Sequence, residues 1–447
     1  MALFGGWLRT VWKIESMKAR NSFSFFVWVC GLFLVLAWNA RGAAVSLGID
    51  ELEKSHFAVL QGKRVGLITN PSGADSRGRS AIDVLYHGTG FHLVRLFGPE
   101  HGLYGTVQAG RSVEDSLDSR TGLRVCSLYG DTRRPTPEML EGIDTLVYDV
   151  QDLGCRSYTF ISTLGYVMEE AAKRNIEVVV LDRPNPLGGI RIEGPRLNES
   201  VKSFVGLYDI PYVYGLTPGE LAEWINAKYL EKPCRLVVVA MRGWTRDMVW
   251  EDTGLKWIPT SPNIPTIGAA RGYTATGFLG EIGIESGIGG PAPFQAVAGN
   301  GWDPAPLVRQ FRNLNIPGVR VLPYRYRSDS DRWGESYYSG VYLQIDPRNA
   351  GNLTAISLQS IEILEREIDG FSAFGHTTAD EREMFAKVTG QAGLRHDLIE
   401  GRPVSDIVRS WNAGVVRWAQ ERKPYLLYGN TPSSPSNSGG VIAGAVP

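Results

Sequence analysis

The sequence predicts an α/β protein, a parallel sheet covered by helices, followed by a smaller C-terminal α+β domain. Three observations carry this reading. From about Gly48 to Gly243, short β-branched runs alternate with helical stretches, the pattern of parallel strands with helices on both faces. Four of the runs end directly in polar loops shaped by Gly and Pro, as expected where ligands sit beyond the carboxyl ends of a parallel sheet. Past Gly243 the alternation stops and a Trp-, Pro- and Gly-rich stretch begins.

Residues 1–44 read as an export signal. Arg9, Lys13, Lys18 and Arg20 precede the apolar run Phe23 to Trp38, and Ala40, Gly42, Ala43 and Ala44 offer small residues for cleavage. The run is short for a membrane span, which needs about 20 residues. No stable span is expected once the signal is removed, and the mature protein is placed in the periplasm or outside the cell.

In the first domain, residues 45–243, the predicted strands are Arg64–Thr69, Leu93–Phe97, Leu123–Leu128, Thr145–Val150, Glu177–Leu181 and Leu236–Ala240. Predicted helices between them include Arg79–Tyr86, Ser162–Lys173 and Pro218–Tyr229. In the second, residues 244–428, Gly277 to Gly290 holds six glycines in fourteen residues and predicts ordered loops bordering a site. Helices follow at Pro304–Asn315, Ala355–Arg366, Ala379–Thr389 and Pro403–Arg422, with a strand at Gly340–Ile345. Residues 429–447 are rich in Ser, Pro and Gly and are expected to be disordered.

Composition narrows the chemistry. With 46 Lys+Arg against 47 Asp+Glu, the net charge of −1 argues against nucleic acid as a partner. Beyond the leader only Cys126, Cys155 and Cys234 remain, widely spaced, and they read as buried thiols rather than a disulfide framework. The phosphate-loop, dinucleotide-loop, serine-elbow and H-E-x-x-H patterns are all missing. The six histidines make no helical metal-ligand pair. No cofactor or metal is called for, and carboxylates are left as reagents.

Cleaving a glycosidic bond needs a carboxylic acid for the departing oxygen and usually a second group opposite it. Glu100 follows a strand expected to be buried and lies between Pro99 and His101, a setting that suits a carboxyl retaining its proton. A loop carboxylate capping a helix is the competing reading. In the helix Ser162–Lys173, Leu164, Val167, Met168 and Ala171 form the core stripe. Glu169 and Glu170 lie off that stripe, on the solvent side unless a second domain covers that face.

Several strings closely resemble the DUF1343 family. They include Phe97-Gly98-Pro99-Glu100-His101-Gly102, Asp149-Val150-Gln151-Asp152-Leu153-Gly154, Leu181-Asp182-Arg183-Pro184-Asn185-Pro186 and Pro259-Thr260-Ser261-Pro262-Asn263-Ile264-Pro265-Thr266. The likeness runs from about Gly48 to Tyr428. Members of that family include exo-acting β-N-acetylmuramidases. The resemblance implies a Rossmann-like domain joined to a smaller one, and a glycoside hydrolase that releases N-acetylmuramic acid, or a related amino sugar, from non-reducing ends of peptidoglycan fragments. It also implies a pair of essential glutamates, which fall on Glu100 and Glu169. The substrate is then a small sugar or muropeptide, with His101, Asp149, Gln151, Arg156, Tyr158, Arg183, Asn185 and Asn263 expected to line its pocket.

One stretch departs from the family pattern. Glu285 to Gln295 lacks the two arginines of a string like S-E-G-R-G-T-T-R-P-F-E. Arginine is the natural partner of the lactyl carboxylate, and Arg156, Arg183 and Arg271 are candidates to replace the missing pair. A non-catalytic binding protein for cell-wall fragments, or a hydrolase of a different amino sugar, is the alternative function.

Overall fold

The first domain is organised by an eight-stranded sheet in a computed structural model that describes residues 45–328, 336–430 and 441–443. Its strands are β1 (Arg64–Thr69), β2 (His92–Gly98), β3 (Ser116–Leu117), β4 (Arg124–Ser127), β5 (Thr145–Asp149), β6 (Glu177–Leu181) and β7 (Arg235–Val239), with β11 (Val441–Ala443) added at one edge. The order is β11-β7-β6-β5-β1-β2-β4-β3. The six strands from β7 to β4 are parallel, and β3 and β11 pair antiparallel at the two edges. This is the Rossmann-like α/β arrangement the sequence predicts. The expected signal, residues 1–44, lies outside the described residues. Within the stretch expected to be disordered, Val441–Ala443 pairs with Val237–Val239; the short apolar run finds the open edge of a twisted sheet.

The strands read as nearly continuous apolar runs because both faces are covered. All five residues of β5 and of β6 are buried. On one face lie α1 (Gly48–Lys54) and α2 (Ala81–Tyr86), whose Ile49, Leu52, Ile82 and Leu85 pack with Val65 and Leu67 of β1. The other face carries α3 (Pro137–Leu140), α4 (Phe160–Arg174) and α5 (Pro218–Lys228). The predicted stripe of α4, Leu164, Val167, Met168 and Ala171, is wholly buried there at 0% exposure. Helix α4 ends at Asn175, whose left-handed φ of 56° closes the helix. Helix α5 starts on a capping box between Thr217 and Glu220, with Pro218 in its first turn.

The strand order, not the strand direction, reverses about the centre of the sheet, since β1 is flanked by β2 and by β5. A crevice therefore opens beyond the carboxyl ends of these strands. Beneath it, Gly154 has a φ of +80° and a Cβ there would come within 2.5 Å of Asn185 Oδ1, so only glycine fits.

The second domain begins with α6 (Ile267–Thr276) and holds a three-stranded antiparallel sheet of β8 (Ala296–Asn300), β9 (Val319–Ser328) and β10 (Ser336–Ile345) in the order β8-β10-β9. Around it pack α7 (Pro304–Asn313), α8 (Thr354–Glu367), α9 (Ala379–Thr389), α10 (Leu394–Ile399) and α11 (Val404–Glu421). Their core gathers Phe278, Phe311, Ile356 and Phe385. Helix α11 ties the chain back to the first domain. Its Trp418 is buried at 0% exposure, 5.1 Å from the ring of Trp224 on α5.

Candidate active site

Glu100 stands just past β2, half-buried. Its Oε2 accepts a 2.6 Å hydrogen bond from the Thr159 hydroxyl, and its Oε1 accepts one of 3.0 Å from the Gly110 N–H. Thr159 is the residue that opens α4, yet its hydroxyl caps no helix N–H. It serves Glu100 instead, and the positive end of the helix faces the carboxylate. The backbone turns sharply here: His101 has a φ of 70° and Gly102 a φ of 77°. A left-handed histidine is costly. Burial and a 2.8 Å contact of its Nδ1 with the Val107 carbonyl hold it in place.

An aromatic strip runs from Glu100 along α4. Tyr129, which follows β4, is buried, and its phenol interacts with both Glu100 and Arg133. Burial above all, with the charge of Glu100, pushes its pKa up to about 12. The ring of Phe204 lies 5.9 Å from Tyr129 and 5.7 Å from Tyr166 on α4. Two guanidinium groups top the strip. Arg133 sits 5.0 Å over Tyr129 and 4.6 Å over Phe204, and Arg134 sits 3.8 Å over Tyr166. A second run of rings starts at Tyr158 and continues through Tyr273 at 5.8 Å to Phe294 a further 5.0 Å away. Rings of this kind suit a ligand with both apolar and hydroxylated faces.

Glu169 belongs to the far end of the strip. It lies ten residues after Thr159 on the same helix, roughly 15 Å of axial rise. Its oxygens meet Arg134 at 2.7 Å and Lys173 at 3.2 Å, and its side chain is 38% exposed. Among the described residues Glu100 and Glu169 share no partner; the contacts that link them run through Tyr129, Phe204, Tyr166 and Arg134. Glu100 thus stands at the helix start and Glu169, ion-paired, along its flank, the side that the periodicity of α4 indicates.

Most of the other predicted site residues are committed to the protein. Asp149 and Arg183 form a buried two-pronged ion pair at 2.6 and 2.8 Å. The Gln151 amide donates to the carbonyls of Asp152 and Pro184, both at 2.8 Å. Arg156 is 0% exposed and donates to the carbonyls of Pro195, Ile210 and Thr389. Burial lowers its pKa to about 10. Asn185 spans the Leu216 carbonyl and the Leu187 N–H. With His101, these groups shape the loops, because polar side chains at the ends of buried strands satisfy each other; Gln151 and Arg183 also line a cavity with Ser72, Ala74 and Trp250. Tyr158 bonds Thr260 at 2.8 Å but flanks Thr159. Asn263 is half-buried and without a hydrogen-bond partner among the described residues.

Sequence reasoning missed Thr159, Tyr129, Arg133, Tyr166 and Phe204. Tyr129 was within reach, because the predicted strand Leu123–Leu128 ends on it just as the strand before Glu100 ends on its loop. Among the described residues no cluster of His, Cys, Asp and Glu could hold a metal ion, and no helix is long and apolar enough to cross a membrane. Cys126, Cys155 and Cys234 are buried and unpaired, as predicted.

A carboxyl group at the carboxyl edge of a parallel sheet, set beside aromatic rings and cations, suits acid-assisted cleavage of a sugar bond in a protein of the Rossmann-like α/β class. Comparison with known proteins makes the assignment specific. Residues 65–268 match the profile of the N-terminal domain of exo-beta-N-acetylmuramidase NamZ, and residues 271–428 that of its C-terminal domain. The chain belongs to the NamZ family. It is 37% identical over 390 residues to the peptidoglycan beta-N-acetylmuramidase NamZ of Bacillus subtilis, covering 87% of this chain and 93% of that one. A crystal structure of a DUF1343 family protein from Bacteroides fragilis is similar at a TM-score of 0.81 and 42% identity, over 86% of this chain and 99% of that one. A second from the same organism is similar at a TM-score of 0.66 and 25% identity, over 87% and 100%. The seam between the family's two domains falls within α6, downstream of Gly243. The intervening stretch closes over the first domain, with Trp244 in its core and the Thr253 carbonyl accepting from Val45.

Proposed function

We propose that this protein is an exported exo-β-N-acetylmuramidase that removes N-acetylmuramic acid from non-reducing ends of peptidoglycan fragments. The observation that supports it most is Glu100, fixed by Thr159 and Gly110 at the positive end of α4 and beside the aromatic strip. In this reading Glu100 delivers its proton to the departing glycosidic oxygen, water supplies the new oxygen at the anomeric carbon and releases its proton to solvent, from which Glu100 is re-protonated, and the products are the free sugar and the shortened fragment. Tyr158 and Asn263 line the sugar site. Glu169 is a positioning residue, holding Arg134 over Tyr166. The similar protein of B. subtilis, a peptidoglycan beta-N-acetylmuramidase, supports the choice of bond.

Release of chromophore from a β-N-acetylmuraminide by the wild-type protein and by Glu100→Gln tests the reading. Turnover by the wild type, lost in the variant at unchanged melting temperature, is expected. Ligand-induced stabilisation without any turnover would establish a binding protein instead. Export is supported by the basic-then-apolar segment before Ala44, and is tested by cell fractionation with sequencing of the mature N-terminus.

A further inference from the structure

Arg133 has the features of a substrate anchor rather than a structural cation. Its guanidinium lies across the faces of Tyr129 and Phe204 at 5.0 and 4.6 Å. The side chain is exposed and makes no ion pair with any described carboxylate. A guanidinium held flat by rings keeps its edge N–H groups available, in the fork geometry that matches a carboxylate. The neighbouring cations differ: Arg134 is paired with Glu169, Arg271 with Glu251, Arg183 with Asp149, and Arg156 is spent on carbonyls. All three arginines expected to meet the substrate carboxylate are thus unavailable, and positions 288 and 292 hold Ile and Ala.

The location of Arg133 is set by Tyr129. That residue carries the Arg133 guanidinium 5.0 Å over its ring, and its phenol interacts with both Arg133 and Glu100, so an anion on Arg133 would lie near the group that handles the glycosidic oxygen. In an N-acetylmuramic acid unit the lactyl ether is on the ring carbon two along from the anomeric centre, so its carboxylate extends to one side of the glycosidic bond. The loop that carries Arg133 is in turn fastened by Arg134, stacked on Tyr166 and paired with Glu169.

We infer that Arg133 binds the lactyl carboxylate of the sugar held at Glu100 and so sets the preference for muramic acid over its neutral relatives. The inference rests on the proposed muramidase reading and deepens it. The test compares a chromogenic β-N-acetylmuraminide with its lactyl methyl ester, using the wild type, Arg133→Gln and Arg133→Lys. The wild type is expected to prefer the free acid. Arg133→Gln is expected to lose that preference through a fall of about 10- to 100-fold in kcat/KM for the acid, mostly in KM, as a charge-assisted bond would give. Arg133→Lys is expected to restore part of it. Equal losses on acid and ester, or an unchanged preference, would overturn the assignment.

Failure of the muramidase reading itself shows up separately, as a wild type that cleaves neither compound. Arg133 is then judged by thermal shift with free N-acetylmuramic acid and N-acetylglucosamine. Stabilisation of the wild type by the acid alone, abolished in Arg133→Gln, supports the anchor; the same shift in both proteins rejects it.

Discussion

The Thr159 hydroxyl donates to Glu100 Oε2 at 2.6 Å while leaving the amide groups of its own helix uncapped. A threonine at a helix start ordinarily spends its oxygen on the helix, where loss costs about 1 kcal/mol of stability. Here helix and carboxylate divide the labour: the helix contributes its positive end and Thr159 contributes aim.

Thr159→Val separates activity from stability. A neutral positioning hydrogen bond contributes about 0.5–1.5 kcal/mol, so kcat is expected to fall by about 2- to 10-fold as the Glu100 carboxyl loses its aim. The melting temperature is expected to change little, since no cap is removed. Steady-state kinetics beside a thermal melt decide it. A large loss of stability with normal turnover would show that the hydroxyl serves the fold.

Glu169 yields a sharper contrast. Its partners Arg134 and Lys173 are 38% and 54% exposed, and solvent screening keeps such pairs below about 1 kcal/mol. Glu169→Gln is therefore expected to cost little stability and to raise KM more than it lowers kcat, through a looser Arg133–Arg134 loop. Arg134→Gln should do the same, and the double variant should be no worse than either. A kcat as low as that of Glu100→Gln would place Glu169 in the chemistry and contradict its positioning role.

How far the sequence carried depended on what each element hides. Strands β1 and β6 match their predicted limits, Arg64–Thr69 and Glu177–Leu181, because runs such as Glu177-Val178-Val179-Val180-Leu181 are buried on both faces and bounded by polar or Pro-containing loops. Strand β9 was missed, since Pro323 interrupts it and Arg alternates with Tyr; both are tolerated at the edge of the sheet order β8-β10-β9. Helix α6 was concealed by Gly268 and Gly272, yet Gly272 is where the Phe294 carbonyl packs against the helix. At the site, strand ends announced Asp149 and Arg183 but not that they bond each other. Pairing across loops is a property of the folded crevice, which periodicity along one chain does not encode.

Leu164 tests the core under the site. It is 0% exposed in the face of α4 turned to the sheet, one turn and a half below Thr159. Leu164→Ala removes buried methyl groups and leaves a cavity, at an expected cost of about 2–5 kcal/mol. Denaturant unfolding measures it directly. A loss under about 1 kcal/mol would mean that this part of the core relaxes into the space, contrary to its packing against both sheet and α5.

Asp152 gives the protein a pH dependence of predictable sign. It is buried between Tyr214, which bonds it, and the Gly154 N–H at 2.6 Å, and burial outweighs those bonds to raise its pKa to about 6. Unfolded, the same carboxyl titrates at about 3.9. Between those values the folded chain holds a proton that the unfolded chain has released, so stability from this group is complete below about pH 4 and is lost as pH rises through about 6. Asp152→Asn cannot ionise. Relative to the wild type it should therefore gain stability from pH 4 to pH 7, by on the order of 1–3 kcal/mol. Chemical denaturation of both proteins across that range gives the difference directly. A flat difference would show that Asp152 titrates alike in the folded and unfolded chains, with Tyr214 and Gly154 compensating fully for its burial.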